Sequence, residues 1–428
     1  MSEPLVMTST WQERLDLIVE TMREMSTHTD PQAMVRDYAA RMRQVHPTDR
    51  MVALSRRDTR YPFFRITRCS DWKEEINPWR EKHRLPLLQG GLLGELLYGE
   101  QARIINDLHV DPSDPGYEYL KGMRSLMALP NFDRGEALNM VLMMQREPNA
   151  FDPQSLADMV WMSNLFGRAT HNLVLHDELR QAYNLVDQEL KAVADIQRSL
   201  LPAQLPQIPN LELAAHYQTS RRAGGDYYDF FPLPDGRWGI LIADVSGHGT
   251  PAAVIMAITH SIAHTHPGPP VPPRNLLNYV NWQLTSRYTT SFGAFVTAFY
   301  GIYDPATREL RYSCAGHNPP RVKNCHDGSI TSLEPARNLP LGIFEAEDYE
   351  ESVYVLRPGD RVIFYTDGIT EAMNDKGEQF GIQRLDAVLE ACHPQAGQLI
   401  ESVLAALHDF TGGRPPEDDR TILVARVM

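Results

Sequence analysis

Hydrophobic positions divide this chain into three stretches of different texture. Over residues 10–45, Leu15, Ile18, Val19 and Met22 recur at helical spacing, and Asp30-Pro31 opens a second helix with proline in its first turn. From about residue 50 the runs shorten. "MVALSRR" and "FFRITR" read as strands, and "GGLLGELLYGE" is broken up by glycine. "RSLMALPNF" and "ALNMVLMMQRE" read as two strands across a turn. "FDPQSLADMVWMSNLFGRAT" begins with Asp152 and Pro153 as helix-start signals. Helix, mixed sheet and helix over roughly 150 residues predict one α/β domain of sensor size.

Helical periodicity continues beyond that domain. Leu175, Leu179, Ala182, Val186, Val193, Ile196 and Leu200 follow alternating steps of four and three, with Glu189 as the polar member of the series. This spacing is that of a coiled-coil seam and predicts a dimerising linker helix; an amphipathic helix packed on its own domain is the simpler alternative. The prolines of "SLLPAQLPQIP" end it. The last stretch, from about 211, alternates strands and helix pairs. "WGILIADV", "FVTAFYGIY", "ELRYSCAG", "DRVIFYTDG" and "RTILVARV" are the strands; 250–265, 275–288, 381–391 and 396–410 are the helices. The expected class is α+β, with helices covering a largely antiparallel sheet system.

Composition narrows the function. At 428 residues the chain is too long for one core, and 43% hydrophobic with 22% charged residues is ordinary for a globular protein. A formal net charge of −14 argues against a nucleic-acid partner. No apolar run reaches the roughly 18 residues of a membrane span, and MSEPLVMTST lacks the features of a signal peptide, so a cytoplasmic location is expected. Cys69, Cys314, Cys325 and Cys392 are scattered, without a CxxC pair. That spacing argues against a disulfide framework and against a zinc–thiolate site.

The chemistry lies in acids at the ends of apolar runs. Asp226 follows Gly224-Gly225, and Asp244 ends "ILIAD". Asp367 ends "VIFYTD", and Asp418 and Asp419 precede the last strand. One Asp-Gly is a common turn signal. Several carboxylates at strand ends in one domain, with few basic neighbours, are the ligand pattern of hard divalent cations such as Mg²⁺ or Mn²⁺. Two such ions about 4 Å apart activate water and clamp a phosphoryl group.

"GGDYYDFF", "IADVSGHGTPAA", "FVTAFYGIYD", "YSCAGHNPP", "LPLGIF", "GDRVIFYTDGITEAMN", "FG" at 380 and "DDRTILVAR" occur in that order. Together they resemble the PPM-type metal-dependent protein serine/threonine phosphatases, in the bacterial branch of SpoIIE and RsbU. "ADIQRSLLP" is similar to the helix preceding the catalytic domain in that branch. The resemblance implies an αββα sandwich holding two Mn²⁺ or Mg²⁺ ions. It also implies hydrolysis of phosphoserine or phosphothreonine on an anti-sigma-factor antagonist of STAS type, by activated water and without a covalent enzyme intermediate. It implies Asp244 as the bridging ligand with the Val245 carbonyl beside it, Asp226 on the same metal, partly through water, and Asp367 and Asp418 on the other. Asp419 competes for the last role. An apolar β-branched residue is frequent in the family where Ala223 stands.

The glycines Gly224, Gly225, Gly247 and Gly249 read as sites of close backbone approach. His248 reads as a proton donor or a turn residue, and His317 as a structural turn residue. Arg221 and Arg222 read as a solvated loop pair or as contacts to substrate phosphate. Residues 25–172 resemble a GAF sensor through "GEQARIINDLHVD", "GMRSLMALPNF" and "EPNAFDPQSLADMVWMSNLFGRA"; Trp72, Trp79, Tyr98 and Cys69 read as core. The expected layout is a helical segment at 1–24, the sensor at 25–172, the linker at 173–205 and the phosphatase domain at 206–428, joined as a homodimer. Two rivals remain: an interaction protein that keeps the fold without catalysis, and a two-metal phosphohydrolase for small phosphoesters.

Overall fold

The computed structural model describes residues 11–289 and 293–428. It falls into two compact units, Met1–Tyr183 and Asn184–Met428.

In the first unit, α1 (Trp11–Met25) and α2 (Pro31–Val45) precede β1 (Arg50–Ser55), β2 (Phe63–Cys69) and β3 (Leu87–Gln89). Then come α3 (Gly91–Gly99), β4 (Arg103–Ile105), α4 (Tyr117–Leu120), β5 (Ser125–Asp133) and β6 (Glu136–Gln145). Asp30 caps α2 by accepting the Ala33 N–H at 2.6 Å, with Pro31 in the first turn, as the sequence predicts. The strands form one antiparallel sheet in the order β3-β2-β1-β6-β5-β4. Val52, Leu54, Phe64, Ile66, Met140 and Leu142 bury one sheet face against Leu93, Leu96 and Leu97 of α3. The glycine-punctuated segment is therefore helical: burial of three leucines outweighs the low helix propensity of its glycines. Met42, Met127, Leu129, Met143, Met159 and Met162 form a second cluster on the other face.

The helix α5 runs unbroken from Leu156 to Ser199. Along its seam Leu179 and Ile196 are 71% and 65% exposed, so this face buries little within the chain.

In the second unit, β7 (Leu211–Gln218), β8 (Tyr227–Pro232), β9 (Trp238–Val245), α6 (Thr250–His264) and α7 (Pro273–Leu284) are followed by β10 (Val296–Asp304) and β11 (Glu309–Ala315). The remainder is β12 (Arg321–Lys323), β13 (Ile330–Ser332), β14 (Arg337–Asn338), β15 (Ser352–Val355), β16 (Arg361–Tyr365), α8 (Asp367–Thr370), α9 (Gly381–Leu389), α10 (Ala396–Thr411) and β17 (Arg420–Val427). One sheet runs β14-β11-β10-β9-β8, with β15 also on β11; the other runs β13-β12-β16-β17-β7. α6 and α7 pack on the first sheet, and α10 on the second. Each sheet is covered on both faces. That is why β9 and β16 read as continuous apolar runs instead of alternating ones. Phe299 of one sheet meets Phe364 of the other in the core between them. The result is an αββα sandwich.

The cysteine expectation is corrected. Cys325 and Cys392 form a disulfide across 67 residues, while Cys69 and Cys314 stay free. The β12–β13 turn and the α9–α10 connection are remote in sequence, and only the tertiary fold brings them together. Closing so long a loop is worth about 2–4 kcal/mol. Thiol titration of the denatured, unreduced protein is expected to find two thiols, and Cys325→Ser to lower stability by that amount in chemical denaturation. Four thiols would show the pair to be reduced.

Candidate metal centre

The strand registers bring the acids together. β8 pairs antiparallel with β9, with Tyr227 opposite Ala243, which sets Asp226 beside Asp244. β16 pairs with β17, with Tyr365 opposite Ile422, which sets Asp367 next to the entry of β17 at Asp418-Asp419. Two sheet ends thus deliver carboxylates to one place. Asp226, Asp367 and Asp418 all oppose ionisation of Asp244, so the four share one electrostatic site.

Asp226 is 1% exposed. Its Oδ2 accepts hydrogen bonds from Thr366 Oγ1 at 2.8 Å and Thr421 Oγ1 at 2.5 Å, both from the opposite sheet. Its Oδ1 is buried and has no hydrogen-bond partner among the described residues. A buried carboxylate oxygen without a donor is costly unless a cation meets it. Burial is the largest cause that pushes the Asp226 pKa up to about 8, and the neighbouring Asp419 and Asp367 add to it. Asp367 is pushed up to about 6 by burial and then by Asp418. Asp244 is raised well above the ordinary carboxylate range, again chiefly by burial. An all-oxygen, acid-only set with one orphaned oxygen fits divalent cations.

The adjacent acids divide their work. Asp419 is 2% exposed and points inward; it accepts the Ser220 N–H at 2.8 Å and the Gly225 N–H at 2.6 Å. It therefore holds the loop that carries Asp226. Asp418 is exposed, and its Oδ1 accepts the Asp419 N–H at 2.8 Å. The same loop explains its glycines. A Cβ on Gly225 would lie 2.8 Å from the Val245 carbonyl oxygen, and one on Gly224 would lie 2.2 Å from Asp419 Oδ2. Gly247 and Gly249 flank His248 at φ of 87° and 78°.

His248 is exposed. His317 is buried; its Nδ1 lies 2.8 Å from Thr297 Oγ1, and Thr297 pairs with Asp244 across β10 and β9. Burial pushes the His317 pKa down to about 3, so it supports the strand ends as a neutral group. The two arginines part company: Arg222 pairs with Asp187 at 2.6 Å, while the Arg221 chain lies beside Gly249.

Three residues escaped the sequence reading. Thr366 and Thr421 hold Asp226, and the only signal was their position, one residue before Asp367 and two after Asp419. The third is Gln197 near the end of α5. It is buried, its Oε1 accepts the Gly224 N–H at 3.0 Å, and its Nε2 donates to the Gly224 carbonyl at 2.7 Å and to Tyr217 Oη at 3.0 Å. "ADIQRSLLP" contains it, but nothing in the spacing revealed its partner.

Residues 234–428 match the family described as Stage II sporulation protein E (SpoIIE). The phosphoserine phosphatase RsbU of Bacillus subtilis is 29% identical over 256 residues, which cover 59% of this chain and 73% of RsbU. The phosphoserine phosphatase RsbP of the same organism is 26% identical over 185 residues, 43% of this chain and 45% of RsbP. Among solved structures, the SiaA PP2C domain of Pseudomonas aeruginosa superposes with a TM-score of 0.51 at 23% identity. It covers 58% of this chain and 99% of that domain, a likeness of fold. Among the described residues, no helix is long and apolar enough to cross a membrane.

The raised pKa values have a sign. Asp226 keeps its proton up to about pH 8 in the folded protein, against about 3.9 for an unfolded aspartate. Between those values the folded state binds more protons, so this group's contribution to stability falls as pH rises. The metal-free protein is expected to lose Tm between pH 5 and 8, and Mn²⁺ or Mg²⁺ to restore more of it at pH 8 than at pH 5. Thermal melts with chelator and with each ion check this; a metal-induced gain independent of pH would contradict it.

Proposed function

We propose, from the match of residues 234–428 to the SpoIIE family, that this PP2C-type protein serine/threonine phosphatase dephosphorylates a phosphorylated regulatory protein, an anti-sigma-factor antagonist of STAS type, in the cytosol. The observation that carries this reading is the convergence of Asp226, Asp244, Asp367 and Asp418 from two sheets, with Asp226 Oδ1 buried and partnerless. PP2C-family phosphatases depend on metal. Asp226, Asp244, the Val245 carbonyl, Asp367 and Asp418 would hold two ions, Mn²⁺ or Mg²⁺. When bound, such ions activate water and neutralise the phosphoryl oxygens. The protein's own part is positioning. Thr366 and Thr421 fix Asp226, Asp419 fixes the 220–225 loop, and Arg221, whose side chain lies beside Gly249, is assigned to meet a phosphate oxygen with its guanidinium.

The first unit is proposed as a GAF-like input domain. A cavity of about 760 Å³ lies between its sheet and the helices α2 and α5, lined by Tyr38, Met143, Phe166, Trp72 and Trp79 among others. The opposite sheet face is filled by the α3 leucines. The volume suits a small organic ligand, and α5 forms one wall of it. The exposed seam of α5 supports a homodimer through that helix.

Two experiments test this reading. Phosphate release is measured from a phosphorylated STAS protein and from a small phosphoester, with Mn²⁺ or chelator. Wild type is expected to prefer the protein and to stop in chelator; Asp244→Ala is expected to lose several orders of magnitude. Asp418→Asn is expected to lose rate and metal affinity with an unchanged apo Tm, whereas Asp419→Asn costs about 1–3 kcal/mol of stability by unpairing loop N–H groups. A preference for the small phosphoester would instead identify a broad phosphohydrolase. In the second experiment, Gln197→Ala is expected to change the basal rate several-fold with every metal ligand in place. An unchanged rate would make the end of α5 a passive spacer.

A further inference from the structure

A second cluster of metal-binding atoms lies outside the acidic centre. His260 and His264 stand one helical turn apart on α6, so their rings share a face, with centroids 4.3 Å apart. Opposite them on β8 is Asp229, 8% exposed. Its Oδ2 lies 2.7 Å from His264 Nε2 and 3.6 Å from His260 Nδ1. One ligand atom from each residue falls within 4.8 Å of the other two.

The surroundings shape the trio. Asp229 Oδ2 also accepts from Tyr227 Oη at 2.5 Å, and Oδ1 accepts the Phe230 N–H at 2.7 Å. The carboxylate is thus oriented by groups outside the trio, as outer partners orient metal ligands. Tyr227 Oη is also 3.0 Å from His260 Nδ1. Among the described residues, none of the hydrogen-bond or ion-pair partners of these four side chains is a lysine or an arginine.

We infer that Asp229, His260 and His264 form a binding site for a transition-metal dication, with Zn²⁺ as the ion of choice. Zinc bonds of about 2.0–2.1 Å at tetrahedral angles set ligand atoms about 3.4 Å apart. The 2.7 and 3.6 Å separations bracket that spacing. His264 is 44% exposed at its side chain, which leaves it free to turn and the fourth position open to water. Two imidazoles and one carboxylate favour zinc over magnesium, whereas the all-oxygen centre favours the reverse. The two sites therefore sort different ions.

The site joins two elements that also serve the metal centre. β8 is an edge strand that begins just after Asp226, and α6 begins just after Gly249. The ion would staple the far end of α6 to β8.

The test uses the full chain carrying Asp244→Ala, in which the acidic centre is crippled, titrated with Zn²⁺ in excess Mg²⁺. Binding of one zinc with micromolar or tighter affinity is expected, with a rise in Tm. His260→Gln and His264→Gln, each added to that background, are expected to weaken binding at least 100-fold and to abolish the rise without lowering the metal-free Tm. Tyr227→Phe is expected to keep the zinc. Absence of zinc binding, or binding that survives both histidine changes, would overturn the proposal and leave the trio as a hydrogen-bonded ion pair. Zinc affinity and phosphatase activity are separate readouts, so failure of one reading leaves the other standing.

Discussion

A carboxylate that cannot keep its charge without help governs the second unit. Asp226 is buried at the meeting of two sheets, and its neighbours are also acids. Two threonine hydroxyls from the opposite sheet satisfy one oxygen, and the other has no donor. Around this constraint the loop 220–225, the glycines against Val245 and the inward-facing Asp419 fall into place. Each either brings backbone close to the acids or stops the loop from moving away.

The acidic centre was legible because its acids end apolar runs, where a charge has no reason to be unless a cation shares the place. Asp226, Asp244, Asp367 and Asp418 stand out in that way as candidate ligands. Threonine in a strand is ordinary, so Thr366 and Thr421 stood out only by lying near Asp367 and Asp419 until the registers aligned them with Asp226. Gln197 was hidden for a different reason: its partners are the backbone atoms of Gly224, and backbone atoms leave no mark in a sequence. Helices over a largely antiparallel sheet system were readable from the order of strands and helix pairs; the αββα layering was implied by the family resemblance. The Cys325–Cys392 bond was not, since 67 residues separate the two and no local pattern links them.

The two ends of α6 face different chemistry. Its first turn follows the glycine loop 246–249 that leaves Asp244, beside a centre whose candidate ligands are oxygen atoms alone. Its last turn offers imidazole nitrogens to a single aspartate. The spacing His-x-x-x-His was visible in "HSIAH", but Asp229 lies thirty-one residues upstream of His260 by number, and a pair of histidines on a helix is commonplace without a third ligand. Sheet pairing on one side and helix packing on the other supply that third atom.

Asp226 is carried into the site by β8, the edge of its sheet, whereas Asp244 lies on the neighbouring interior strand. An edge strand has hydrogen-bonded support on one side only and is among the first parts of a sheet to fray. The threonine contacts are therefore a clasp between the edge of one sheet and the middle of the other. With an ion on Asp226 as proposed, opening the clasp and losing the ion would be one event. The affinity measured for the ion then contains the work of closing that edge, and a distant change that loosens β8 registers as weaker metal binding without touching a ligand.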